Sequence, residues 1–300
     1  MRLFTFSQTL AGAIVAVLAI GGAAIAPPLG GRLAFTSNRD GSTQIYVMNG
    51  DGTGVVRLTR TGSNAAPAFS PDGRQIAFPA LRDGTWQVYL MNADGTGTVP
   101  LTSPPGNSAE PAFSPDGRRI AFDSNRSGIW QIYVMNRDGA GVTPLMMSRT
   151  HAFSPAYSPD GRTIVFVSVR DGGSVLATIR ADGTRERVLA GPLGGRHGPT
   201  FSPDGRRIAF SAGGRGDEQI YVAAADGSHR TQLTKGPRIS FGPAFSSDGR
   251  WIAFTSDRDG QDQICIMKPD GSEVVRITGP PGASFFPTFQ PEVPLAAGHR

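Results

Sequence analysis

The 300 residues include 40 glycines and 24 prolines, about a fifth of the chain, with 17 phenylalanines and only 18% charged residues. Glycine and proline at this density exclude a helical bundle or coiled coil, the aromatic and branched residues exclude a disordered chain, and glycine shows no three-residue collagen period. A formal charge of +5, carried by arginines spread along the sequence with Lys235 and Lys268 as the only lysines, reads as a solvated surface, and the single Cys265 excludes a disulfide framework or a thiolate metal cluster.

No charged residue lies between Arg2 and Arg32, and Leu10 to Ile25 is an apolar run followed by Pro27-Pro28. The cationic start, apolar stretch and small Ala24 and Ala26 resemble a secretory signal peptide. The alternative is an uncleaved anchor, because Leu3 to Ala26 could cross an apolar layer of about 30 Å as a helix. Residues 1–30 are therefore expected to be a signal peptide or N-terminal anchor, with the rest of the chain outside the cytoplasm.

From residue 31 onward the sequence repeats. The aromatic of a Pro-x-[Phe/Tyr] motif falls at Phe69, Phe113, Tyr157, Phe201, Phe245 and Phe289, each 44 residues after the last. Five of these run into a Ser-Pro-Asp-Gly-Arg turn, with Ser247 in place of proline in the fifth, and each turn leads to a short strand ending in Phe78, Phe122, Phe166, Phe210 or Phe254. Phe35 supplies a sixth strand of that kind. A loop such as Ser37-Asn38-Arg39-Asp40-Gly41 follows, then a strand such as Gln44-Ile45-Tyr46-Val47-Met48. A second Asp-Gly turn and a last strand such as Val56-Arg57-Leu58-Thr59 complete the unit.

Proline presets φ at the first turn position, aspartate bonds its own backbone two residues on, and glycine accepts φ > 0. These turns therefore connect strands. Four short strands in about 44 residues is the size of a propeller blade. The first set of strands lacks its leading member and the last lacks its followers. Pro287-Thr288-Phe289 is thus expected to join the N-terminal three strands in one composite blade. The fold class predicted is all-β: a six-bladed β-propeller of four-stranded antiparallel blades over residues 31–290, followed by a flexible tail, 291–300.

The Ser-Pro-Asp-Gly-Arg turn, the Phe-x-Ser-x-Arg-Asp-Gly loop and the Ile-Tyr-x-Met-x-x-Asp-Gly strand and turn together resemble the repeats of the TolB-type β-propeller family over roughly Gly31 to Gln290. The resemblance implies a six-bladed propeller and, for the protein that names the family, a periplasmic partner-binding role in an envelope-spanning complex that includes a peptidoglycan-associated lipoprotein. TolB carries a separate domain ahead of its propeller, whereas about thirty residues precede the first blade here. Similar repeats also occur in propellers joined to serine-peptidase domains.

The repeated Asp72, Asp116, Asp160, Asp204 and Asp248 sit at one fixed position of a tight turn and read as structural. Arg39, Arg82, Arg126, Arg170 and Arg258 read as orienting their own loops on the opposite face. Function is expected where the repeats differ, just before each innermost strand at the channel mouth. There stand Glu110, His151, Phe153, Arg196, His197, Arg238, Phe241, Phe285 and Phe286, an aromatic and cationic ring with one carboxylate, suited to an extended peptide or an anionic ligand. The bland alternative is that these residues only plug the channel.

Glu110, His151 and His197 include ligand types a divalent ion accepts, but their spacing is generic and no metal or other cofactor is expected. No Gly-x-Ser-x-Gly or His-Glu-x-x-His motif occurs, ten residues after Gln290 leave no room for a hydrolase domain, and Cys265, in the place of a repeat tyrosine, reads as buried packing. The expectation is an exported, monomeric, non-enzymatic propeller that grips a protein or peptide of the cell envelope, with no nucleic-acid partner and no membrane contact beyond the N-terminal segment. The alternative is a propeller lyase or hydrolase acting on an extracytoplasmic polysaccharide or peptide.

Overall fold

A computed structural model describes residues 30–146, 148–170, 173–195, 198–214 and 216–292. The expected signal segment, Arg196, His197 and all of the tail past residue 292 lie outside the described residues. Among the described residues no helix is long and apolar enough to cross a membrane.

Six antiparallel sheets make up the described fold. Blade 3 shows the plan, with strands Ser108–Phe113, Arg119–Ser124, Gln131–Asn136 and Thr143–Pro144 running from the axis outward. In blade 2 the innermost strand is broken into Ser63–Asn64 and Ala68–Phe69, both paired to Gln75–Arg82. Blade 1 is the composite one. Ser284–Phe289 pairs with Arg32–Ser37, Leu33 facing Phe289 and Ser37 facing Ser284, so the two ends of the repeat array close one sheet.

The core lies between blades rather than within them. Ala34, Ile45 and Val47 of blade 1 pack on Ile76, Phe78 and Met91 of blade 2, and a cluster of this kind fills each of the six blade boundaries. Each sheet has a neighbour on both sides, which is why its second and third strands are apolar on both faces. Phe35, Phe78, Phe122, Phe166, Phe210 and Phe254 are buried at the same place in each blade. Burying such a ring contributes about 1.5–3 kcal/mol. In four blades that ring stacks on the tyrosine of the next strand, as Phe35 on Tyr46 at 5.8 Å. Ala177 faces Phe166 and Cys265 faces Phe254 in the other two.

The turns behave as their residues require. Ser70 Oγ donates to Asp72 Oδ1 at 2.5 Å, the backbone N–H of Arg74 donates to the same oxygen at 3.1 Å, and Gly73 takes φ 64°. The arrangement recurs at Asp116, Asp160, Asp204 and Asp248. On the opposite face Arg39 and Arg126 each lie over a Phe–Tyr pair at 5.2–5.4 Å while donating to a serine of their own loop.

A polar clasp ties the outer strands to the third. Thr278 Oγ1 donates to Gln263 Oε1 at 2.7 Å and accepts from the Ile264 N–H at 2.8 Å, and Gln263 Nε2 reaches the Gly282 carbonyl. Gln44 with Thr59, Gln87 with Thr102 and Gln219 with Thr234 repeat it. Blade 3 keeps Gln131 but has Met146 in the threonine position, and Gln131 Oε1 is buried without a partner. Blade 4 replaces both members, with Val175 and Ala190.

Candidate functional site

The innermost strands face the axis, and among the described residues five of the six are distorted at one position. Ala66, Glu110, Ser154, Gly242 and Phe286 adopt φ between 40° and 62°, in the left-handed region. In blades 1, 3, 4 and 6 the pairing register shifts at this point. A non-glycine residue held there costs of order 1 kcal/mol and persists only where its surroundings fix it. The preceding blade supplies the fixing group, from the residue that follows the buried phenylalanine. Thr36 Oγ1 accepts from the Ala66 N–H at 2.9 Å. Asp123 Oδ2, Ser211 Oγ and Thr255 Oγ1 accept from Ser154, Gly242 and Phe286 at 3.1 Å each. Pro79 and Val167, at the same position, offer no side-chain oxygen.

Four of these five residues stand on the wall of a central cavity of about 290 Å³. Glu110 and Phe286 line it together with Ala66 and Gly242, above a collar of prolines that includes Pro67 and Pro111. Among the described residues Glu110 is the only acidic or cationic side chain on that wall. Burial pushes its carboxyl up to about 7. Asp123, paired with Ala109 in the adjacent strand, is 2% exposed, and burial together with the Glu110 charge raises its carboxyl well above the usual range. Its second oxygen, Oδ1, has no hydrogen-bond partner.

Two aromatic groups stand at the mouth, on blade 4 and on blades 6 and 1. His151 is exposed and stacks on buried Phe153 at 5.9 Å, Trp130 packs on the same ring at 5.8 Å, and the Trp130 backbone N–H donates to His151 Nδ1 at 3.3 Å. Across the axis buried Phe241 meets the edge of Phe286 at 5.7 Å, and Phe286 meets Phe285 at 5.4 Å, the last two half-buried. Arg238 is exposed and pairs with Asp257 at 3.7 Å instead of lining the channel. The structure thus joins His151 to Phe153 and Phe241 to Phe285 and Phe286, with Glu110 at the same strand position as Phe286 on the cavity wall.

Sequence reasoning missed Trp130 and Asp123. The signal for Asp123 was present: the column Thr36, Pro79, Asp123, Val167, Ser211 and Thr255 contains one carboxylate among small residues. Among the described residues no three histidine, cysteine, aspartate or glutamate side chains gather as a metal ion would require. The far mouth, beside the Ser-Pro-Asp-Gly turns, is a second cavity of about 370 Å³ walled by Phe69, Phe113, Phe201 and Phe245 with Pro71 and Pro115.

A family model described as the TolB beta propeller domain matches residues 59–194 and 134–293, together more than half of the chain. The chain belongs to the TolB β-propeller family. The structure of TolB from Acinetobacter baumannii superposes with a TM-score of 0.76 at 22% identity, covering 88% of this chain and 68% of that one. A putative TolB from Agrobacterium tumefaciens gives 0.69 at 22% identity over 85% and 91% of the two chains. A chain of a nidogen/laminin complex gives 0.71 at 15% identity over 87% and 98%. No curated relative matches the sequence. At these identities the structural likeness shows the TolB-type fold, and role has to be argued from the site.

Proposed function

We propose that this TolB-family propeller is an exported, monomeric, non-enzymatic binding protein that holds a protein or peptide partner of the cell envelope at the channel mouth. The observation that carries this reading is the contrast between the uniform turns and the mouth. The turn aspartates are consumed by their own hydrogen bonds, whereas the residues at and just before the distorted positions include two aromatic groups and a carboxylate. Aromatic anchors around a recess are what a peptide-gripping surface needs. The uncharged apolar run after Arg2 supports export, and the match to the TolB beta propeller domain supports a partner-binding role.

The test is affinity capture from the native envelope with the full chain and with Phe285→Ala/Phe286→Ala. The reading expects a specific partner whose recovery falls at least tenfold with the double variant while the fold is retained. Undiminished recovery overturns it, as would turnover of an envelope polysaccharide by the purified protein.

A further inference from the structure

Glu110 and Asp123 form a two-carboxyl group set at the channel wall and just behind it. Asp123 Oδ2 makes the blade-to-blade hydrogen bond to Ser154 that threonine or serine makes elsewhere in the ring. A hydroxyl suffices for that bond, so the second oxygen and the charge serve no packing purpose visible in the fold. That oxygen is buried and unpartnered. Among the described residues no arginine, lysine or histidine pairs with either carboxyl. A buried polar atom left unmade costs about 1–3 kcal/mol, more when charged, and a cation held at Glu110 offsets the Glu110 charge that bears on Asp123.

We propose that Glu110, with Asp123 behind it, receives the guanidinium of an arginine side chain inserted into the channel by the partner. This rests on the channel-mouth reading and names the chemistry the mouth selects. Three features choose guanidinium over other cations. Among the described residues no third histidine, cysteine, aspartate or glutamate joins the two carboxyls, which leaves a divalent ion too few donors. Phe286 lies on the same wall as Glu110, and a planar guanidinium both forks onto a carboxylate and stacks on an aromatic face, which an ammonium does less well. The cavity of about 290 Å³ is at the small end for ligand sites, and its proline collar suits the aliphatic stem of one side chain.

The test uses the full chain, at about pH 8, above the value of about 7 to which burial raises the Glu110 carboxyl, titrated calorimetrically with Nα-acetyl-arginine amide and its lysine and citrulline counterparts. Citrulline keeps the shape and loses the charge. The arginine probe should bind at least about tenfold more tightly than citrulline and more tightly than lysine. Glu110→Gln and Asp123→Thr should each abolish most of that preference. Asp123→Thr keeps a hydroxyl for the blade-to-blade hydrogen bond that Thr36 and Thr255 accept, so the fold should be retained. Equal binding of arginine and citrulline, preference for calcium ions over all three probes, or full retention of the preference in both variants would overturn the assignment. If the arginine probe fails while Phe285→Ala/Phe286→Ala still loses the captured partner, the guanidinium assignment falls and the channel-mouth reading stands; if the probe binds and the double variant captures normally, the reverse holds.

Discussion

Leu33 pairs with Phe289 across the seam where the two ends of the repeat array meet, and both are buried in one cluster with Trp251 and Ile264. The seam therefore carries the same kind of core as every other blade boundary. Phe289→Ala should cost about 3–5 kcal/mol, read as a lower midpoint in urea unfolding. A loss below about 1 kcal/mol would mean that the last strand is not an integral part of blade 1.

The Gln263–Thr278 clasp makes an asymmetric prediction. Thr278→Val strands Gln263 Oε1, as Met146 strands Gln131 Oε1, and should destabilise by about 1–3 kcal/mol. Replacing Gln263 by Val as well reproduces the apolar pair of blade 4 and should recover part of that loss. Additive losses in this double-mutant cycle would show that the two side chains do not act together.

Glu110 gives a pH dependence of definite sign. Its carboxyl rises from an ordinary 4.5 to about 7 in the folded chain, chiefly by burial, and Asp123 shifts the same way. The folded state then holds more protons than the unfolded one between those values, so stability is fully present below about pH 4.5 and lost as pH rises through about 7. The loss should reach about 3 kcal/mol at most. Urea midpoints at pH 5 and pH 8 should differ less in Glu110→Gln than in the parent chain, and an equal or larger difference in the variant would contradict the assignment.

The turn aspartates should be silent in binding. Asp204 is held below the usual carboxylate range by the Ser202 hydroxyl and then by the Arg206 N–H. Asp204→Ala should cost about 1 kcal/mol of stability and leave partner capture unchanged. Lost capture with an intact fold would assign the far face a role.

Cys265 should be inert. Its thiol is unexposed and pushed up to about 11 by burial. Alkylation at neutral pH should follow global unfolding and speed up with urea, and fast labelling of the native protein would contradict its place against Phe254.

The ring was legible because one 44-residue period carried turn chemistry, strand apolarity and the missing first strand together. Even the pairing of Phe289 near Leu33 followed from counting strands. The site was legible only in outline. The repeats located the variable positions, but not that Ala66, Ser154 and Phe286 sit at positive φ, because such a backbone is fixed by a hydroxyl or carboxylate 30 or so residues earlier in the preceding blade. Nor could spacing show that Arg238 turns to Asp257, or that Trp130 backs His151 and Phe153 from the neighbouring blade. The repeat period fixes where such residues stand and not which contacts they make.

Backbone hydrogen exchange of the chain, alone and saturated with its captured envelope partner, tests the channel-mouth reading most directly. Binding should slow exchange at Phe285–Phe286, at Ala109–Glu110 and around His151–Phe153, leaving the Ser-Pro-Asp-Gly turns unchanged. Protection confined to those turns, with the mouth exchanging as before, would contradict it.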